Sequence, residues 1–252
     1  LNNFEAGSFS ETTTASFSVD SVLGAVDGAS SETTSLDFQF NIGLSTSFTG
    51  EDSLDIAIDS GSPSQAALGG VMGFDSGGAL TVDGVAYSFP VGGASVLVGD
   101  ATDVNGVYTG ACSYSAFLDY MGDCGTGNAT TGGNGATAAV SYAFDGGFSL
   151  AGGISSPNDE ILGEAGDDLV GFEAAYTGDA FGVSLTYTDA EVEGVDTTYV
   201  GLNGTYSWDV ASLSIGLESE DADGTDEAFG WFAGLTFDEV GPGSVSVGMA
   251  TN

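Results

Sequence analysis

Leu36-Asp37-Phe38-Gln39-Phe40-Asn41-Ile42-Gly43-Leu44-Ser45 alternates apolar residues with polar or small ones without a break. A two-residue period places every apolar side chain on one face of an extended strand and every polar one on the other. The pattern returns in Leu54, Ile56, Ile58, in Ala138, Val140, Tyr142, Phe144, and in Phe148, Leu150, Gly152, Ile154. It continues through Val170, Phe172, Ala174, Tyr176, then Phe181, Val183, Leu185, Tyr187, then Val200, Leu202, Gly204, Tyr206. Leu213, Ile215, Leu217, then Phe229, Trp231, Ala233, Leu235, Phe237, and finally Val245, Val247, Met249 complete it. No helical stripe competes, so the chain reads as all-β.

Connection lengths then suggest how the strands are joined. Tight connections rich in Gly, Asp and Pro fall at 49–52, 90–93, 145–147, 177–180, 207–210 and 238–243. Longer, more polar ones lie between them, at 27–32, 61–78, 102–135, 156–167, 190–196 and 220–226. Turns on one rim and loops on the other are the mark of an antiparallel up-and-down β-barrel. Asp83-Gly84 would break the alternation if it were a hairpin turn, so it is read as a bulge within one strand over 79–89. The count is about thirteen strands, from near Thr12 to near Met249. About three more would make a sixteen-stranded transmembrane barrel, so the segment is expected to be truncated before its closing strands.

Composition excludes much else. The chain has 252 residues, 37 of them acidic, and no Lys, Arg or His, for a formal charge of −37. Without a cationic side chain it cannot displace counterions from a nucleic-acid backbone. It also lacks an imidazole base, a Schiff-base amine and an arginine clamp, which closes most enzyme mechanisms. Yet 42% of residues are hydrophobic and 11% aromatic, too many for a disordered acidic chain. No run of about 18 apolar residues is present to form a transmembrane helix. The bland reading of the acidic residues is solvated loop and channel surface.

Phe48, Phe89, Phe144, Phe148, Tyr176, Phe181, Tyr206, Trp208 and Phe237 flank the tight turns, where a membrane barrel carries its aromatic girdle. Aromatics also favour strand ends in general, which is the plainer explanation. Cys112 and Cys124 lie in a polar, Gly-rich stretch, as for a small disulfide loop in an oxidising compartment. The run from Gly163 to Leu169, with Asp167 and Asp168, has the form of a calcium-binding Gly-Asp repeat but occurs once, and such sites need stacked copies. No cofactor is expected beyond loosely bound divalent cations on the loop carboxylates.

The opening Leu-Asn-Asn-Phe-Glu-Ala-Gly-Ser-Phe-Ser, followed by Glu11-Thr12-Thr13-Thr14, resembles the junction where cyanobacterial outer-membrane porins enter their first barrel strand. Thr46-Ser47-Phe48-Thr49-Gly50-Glu51-Asp52-Ser53-Leu54, the stretch from Ser141 to Leu150, and Gly241-Pro242-Gly243-Ser244-Val245-Ser246-Val247 are similar to that family too. The family is related to the carbohydrate-selective porins and carries an S-layer-homology domain ahead of the barrel. The resemblance implies that 1–11 end a periplasmic linker and 12–252 form the barrel. It further implies a homotrimer, lipid contact in the bacterial outer membrane, a peptidoglycan link through a domain absent from this segment, and passive transport of ions and small solutes.

If the apolar set faces lipid, the alternate positions face a lumen: Asp37, Gln39, Asn41, Asp55, Asp59, Glu173, Ser184, Thr186, Asn203, Thr205 and Glu218. Fixed carboxylates there give a weak preference for cations. By resemblance to sixteen-stranded porins, the third long connection, 102–135, would fold inward as a constriction loop. Tyr108, Tyr114, Phe117, Asp119, Tyr120 and Asp123 would then stand near the narrowest point, whereas a plain surface loop would leave them in solvent. A rival reading is an acidic extracellular structural protein whose strands pair edge to edge into fibres or a surface layer. A secreted β-sandwich or β-helix fits the acidity but not the one-sided loop lengths. An enzyme fits least: adjacent carboxylates such as Asp167 and Asp168 point to opposite faces of a strand.

Overall fold

The computed structural model describes residues 13–28, 33–62, 68, 73–74, 77–114, 121–130, 135–158, 161, 167–192, 194–241 and 243–251. Among the described residues thirteen strands follow one another in sequence order, and within each unit each is antiparallel to the next. They are β1 (Thr13–Gly24), β2 (Ser35–Thr46), β3 (Ser53–Gly61), β4 (Thr81–Val91), β5 (Ala94–Thr102), β6 (Gly135–Ala143) and β7 (Phe148–Ser156). Then come β8 (Leu169–Thr177), β9 (Phe181–Val192), β10 (Val195–Trp208), β11 (Ala211–Ala222), β12 (Ala228–Val240) and β13 (Gly243–Thr251). Residues 1–90 and 91–252 form two compact units, each described by itself below.

In the first unit β1, β2 and β3 pair in unbroken register, with Ile42 opposite both Phe17 and Ile58. The β3–β4 register shifts where Ala57 faces Gly84 and Ile58 faces Val82, leaving Asp83 as the extra residue. That is the bulge expected at Asp83-Gly84, and it keeps the apolar parity intact on either side. The β2–β3 turn is organised by Asp52, whose Oδ1 accepts the Phe48 and Thr49 amides (2.9 and 2.8 Å) and the Ser47 and Thr49 hydroxyls (both 2.8 Å). Its Oδ2 accepts the Tyr87 hydroxyl at 2.6 Å. These bonds, Tyr87 foremost, hold the Asp52 carboxyl well below the usual carboxylate range.

A folded-state pKa below the unfolded one stabilises the fold above the unfolded value of about 3.9, and that stabilisation is lost as pH falls through the folded value. Asp52→Asn is therefore expected to unfold more easily than the wild type at neutral pH. The gap between their thermal midpoints should narrow steadily once pH drops below about 4. A gap that stays constant down to pH of about 2 would show that the Asp52 charge contributes nothing.

In the second unit β5 to β13 form a meander, and its polarity is inverted relative to a water-soluble core. Phe172, Leu185, Leu202 and Ile215 on one face are 55%, 50%, 41% and 49% exposed, while Ser184, Thr186, Thr188 and Ser214 on the other are at most 2% exposed. Among the described residues of both units, buried polar side chains outnumber buried apolar ones by 16 to 12, and seven of the twelve are Ala. A second apolar layer packed on the greasy face would reverse that ratio. Rings line the turn ends as a girdle would: Tyr142 with Phe144, Phe148 with Tyr176, Tyr176 with Phe181, and Tyr206 with Trp208, at centroid separations of 4.7 to 5.9 Å. Among the described residues no helix is long and apolar enough to cross a membrane.

Two connections differ from the sequence reading. The long loop expected at 190–196 is a tight hairpin: β9 and β10 pair out to Val192 and Val195, and Gly194 turns with φ of +78°. The turn expected over 238–243 shrinks likewise, because Val240 pairs with Gly243 after a register shift at Phe237. In both places the strands run on past the apolar band into stretches where acidic residues, Asp189 and Glu191 or Asp238 and Glu239, interrupt the alternation. Hydrophobic period cannot detect a strand there.

Candidate functional site: a loop folded onto the polar face

The connection between β5 and β6 does not stand off the sheet. It opens in a 3₁₀ turn, Val104–Val107, with Val104 fully buried, and then crosses the polar face of the second unit strand by strand. The Thr109 hydroxyl pairs with Ser149 on β7 at 2.8 Å. The Thr109 and Gly110 amides donate to the two carboxylate oxygens of Glu173 on β8, at 2.6 and 2.9 Å. The Ser113 amide donates to the Ser214 hydroxyl on β11 at 3.0 Å, and the Ser113 hydroxyl meets Thr205 on β10. Tyr114 packs edge-on against Phe232 on β12, with ring centroids 4.9 Å apart.

A return limb recrosses the same strands. The Asn203 side-chain amide donates to the Thr126 hydroxyl at 2.6 Å and to the Asp123 carbonyl at 3.4 Å. A short helix α1 (Gly127–Thr130) follows. Glu218 on β11 accepts the Ala129 amide at 2.7 Å and the Asn128 side-chain amide at 3.0 Å, while Thr188 on β9 donates to the Ala129 carbonyl at 2.7 Å. Cys112 on the outward limb and Cys124 on the return limb form a disulfide, Cα atoms 5.9 Å apart.

Glycines make room for this path. A Cβ at Gly216 would overlap the Cys124 carbonyl oxygen, and one at Gly234 would overlap the Tyr114 ring. At Gly201 it would come within 2.8 Å of Ala129, and at Gly248 within 2.7 Å of the Tyr114 hydroxyl. All four occupy polar-face positions on successive strands, β10 to β13. The seat of the loop is thus a row of missing side chains.

The residues expected to line a lumen lie on the polar face, in differing states. Asp37 is 1% exposed and accepts the Ser35 hydroxyl at 2.7 Å; Asp59 is 4% exposed and accepts Thr81 at 2.8 Å. Gln39 donates to Asn41 at 3.1 Å, and Asp55 is exposed, taking only the Ser53 hydroxyl at 2.8 Å. Glu173, 3% exposed, Glu218, Asn203 and Thr205 are brought together beneath the loop. Of the expected constriction residues, Tyr108 lies over Gly171, Tyr114 over Gly234, and Asp123 on the return limb; Phe117, Asp119 and Tyr120 lie outside the described residues, as do 1–12 and Gly163 to Gly166. Sequence reasoning missed Ser113, Thr188, Ser214 and Phe232. Phe232 carried a signal, since it is a large aromatic at polar-face parity between Trp231 and Ala233.

Among the described residues, no group of three or more acidic or Cys side chains could hold a metal. The disulfide ring spans 12 residues of separation, and closing a ring of that size stabilises the folded loop by up to about 3 kcal/mol. Cys112→Ser with Cys124→Ser should therefore speed amide exchange at Ser113 and Thr126 while leaving β6–β9 protected. Unchanged exchange there would mean that the wall contacts alone fix the loop. Chymotrypsin suits the same test, because trypsin has no site in this chain.

Antiparallel up-and-down strands, an apolar face, a polar one and a long loop laid on the latter define a porin-type fold. No protein-family model and no curated protein sequence matches the chain. Solved structures do. A mutant of the Rh. blastica porin aligns over 95% of this chain and 94% of that one at 13% identity, with a TM-score of 0.52. The anion-selective porin from Comamonas acidovorans aligns over 94% and 78% at 14% identity, with a TM-score of 0.62. At such identities the likeness is one of fold.

Proposed function

We propose that this chain forms the barrel of a bacterial outer-membrane porin, through which ions and small hydrophilic solutes diffuse passively, without cofactor and without chemistry. The observation that carries the reading is the inverted polarity: greasy side chains exposed along the strands of the second unit, with hydroxyls and carboxylates buried opposite them from β6 to β12. A bilayer is the solvent in which that arrangement is stable. The loop on the polar face supports a constricted lumen, and the porin structures similar in fold agree with it. The resemblance of the sequence to cyanobacterial porins supports assembly as a homotrimer and attachment to peptidoglycan through a further domain.

Selectivity follows from charge. The Comamonas acidovorans protein is described as anion-selective, but this chain has 37 acidic and no basic residues, so its lumen concentrates cations and excludes anions. Purified protein added to a planar bilayer is expected to give stepwise ohmic currents. In a potassium chloride gradient the reversal potential should favour potassium, more strongly at low salt, where the Debye length is about 30 Å at 0.01 M. Reversal potentials favouring chloride would refute the selectivity, and detergent-independent filaments without conductance would refute the porin.

A further inference from the structure

Glu173 and Glu218 differ from the other acidic residues of the polar face in how they are used. Each has both carboxylate oxygens occupied, and in each case by the loop: Thr109 and Gly110 amides on Glu173, the Asn128 side chain and the Ala129 amide on Glu218. They grip different limbs, Glu173 the outward one from β8 and Glu218 the return one from β11. Together they bracket the disulfide-closed lobe that begins at Cys112 and ends at Cys124. Glu220 offers the contrast. It sits two residues beyond Glu218 on the same face of β11, pairs with Ala228 in register, and makes no hydrogen bond to the described residues of the loop.

The chemistry explains the choice of carboxylates. An irregular loop laid on a wall must find acceptors for its free amides, since an unpaired buried N–H is costly. Hydrogen bonds to an ionised acceptor are about twice as strong as neutral ones, and two convergent donors match the two oxygens of one carboxylate. In a chain with no Lys or Arg, backbone amides are the strongest partners a buried carboxylate can have. A carboxylate held between two fixed N–H dipoles also projects less field into the water beside it.

We propose that Glu173 and Glu218 are positioning residues of the pore: they hold the loop at its depth in the lumen, and the cation preference is set by acidic side chains outside the clamps, such as Glu220 and Asp55. This rests on the porin reading above. The test separates reach from charge. Glu173→Gln with Glu218→Gln removes the charge and one of two acceptors at each clamp, whereas Glu173→Asp with Glu218→Asp keeps the charge and withdraws it by one methylene. Both pairs are expected to lose the single steady open-channel current in favour of flicker among several levels, with the wild-type reversal potential retained. Glu220→Gln and Asp55→Asn should do the opposite, keeping the steady level while the reversal potential moves toward zero.

The inference is overturned if the Gln pair shifts the reversal potential as Glu220→Gln does while its current stays steady. It is equally overturned if the Asp pair behaves as wild type. The single variants at 173 and 218 carry the same comparison should a pair not fold. Amide exchange at Thr109, Gly110 and Ala129 is read in parallel in detergent. If the wild type conducts nothing, the porin reading fails, but faster exchange at those three amides in the Gln pair still establishes the clamps, and unchanged exchange refutes them.

Discussion

Replacing Phe232 by Ala is expected to loosen the loop and to cost about 3–5 kcal/mol of stability, the range for truncating a buried aromatic. Phe232 is 2% exposed on the polar face of β12, where its ring meets the Tyr114 ring of the outward limb, while its Cβ, which alanine keeps, lies close to Gly125 of the return limb. Truncation to alanine therefore removes the ring that Tyr114 packs against. Phe232→Leu keeps most of the volume and should recover most of the loss. Chemical unfolding in detergent, together with chymotrypsin cleavage after Tyr114, measures the two effects. If Phe232→Ala leaves cleavage at its wild-type rate, the ring is filler and not the support of the loop.

A second large effect is expected on the opposite face. Leu202 lies midway along β10 and is 41% exposed. On a water-soluble sheet, Leu202→Arg would change stability by no more than about 0.5 kcal/mol. In a bilayer the same change costs about 2–4 kcal/mol at mid-depth and falls to about 0–1 near the interface. Tyr206→Arg, close to the β10–β11 turn, is therefore the matched control. Equilibrium folding into phosphatidylcholine vesicles is expected to show a heavy penalty for the first and a slight one for the second. Equal, small penalties would mean that the apolar face does not meet acyl chains.

These two substitutions also mark what the sequence could and could not disclose. The apolar face was legible because side-chain parity is a local property. Leu36 to Leu44 marks a strand that pairs with β1 along its whole length, and the parity break at Asp83-Gly84 marks the bulge in β4. Parity fades where a strand leaves the apolar band, so from sequence the tight hairpin at Gly194 reads as a loop. The path of the 102–135 connection was less legible still. Its fixed points are backbone amides on Glu173 and Glu218 and the empty positions at Gly201, Gly216, Gly234 and Gly248. A backbone amide has no sequence identity, and a missing side chain announces itself only once strand register shows that the four glycines step diagonally across successive strands, Gly216 opposite Phe232 and Gly234 opposite Gly248. With the register known, those glycines and Phe232 become the strongest evidence for where the loop lies.

Pairing of each strand with its neighbours along the chain has a consequence for descent. Such a wall can gain or lose a complete hairpin, for instance the paired run of β10 and β11, without altering the register of any other pair. Gain or loss of a single strand would instead reverse the direction of everything after it and carry turns to the rim where loops belong. Related chains should accordingly differ in length by whole hairpins, with shorter insertions and deletions confined to the loop rim.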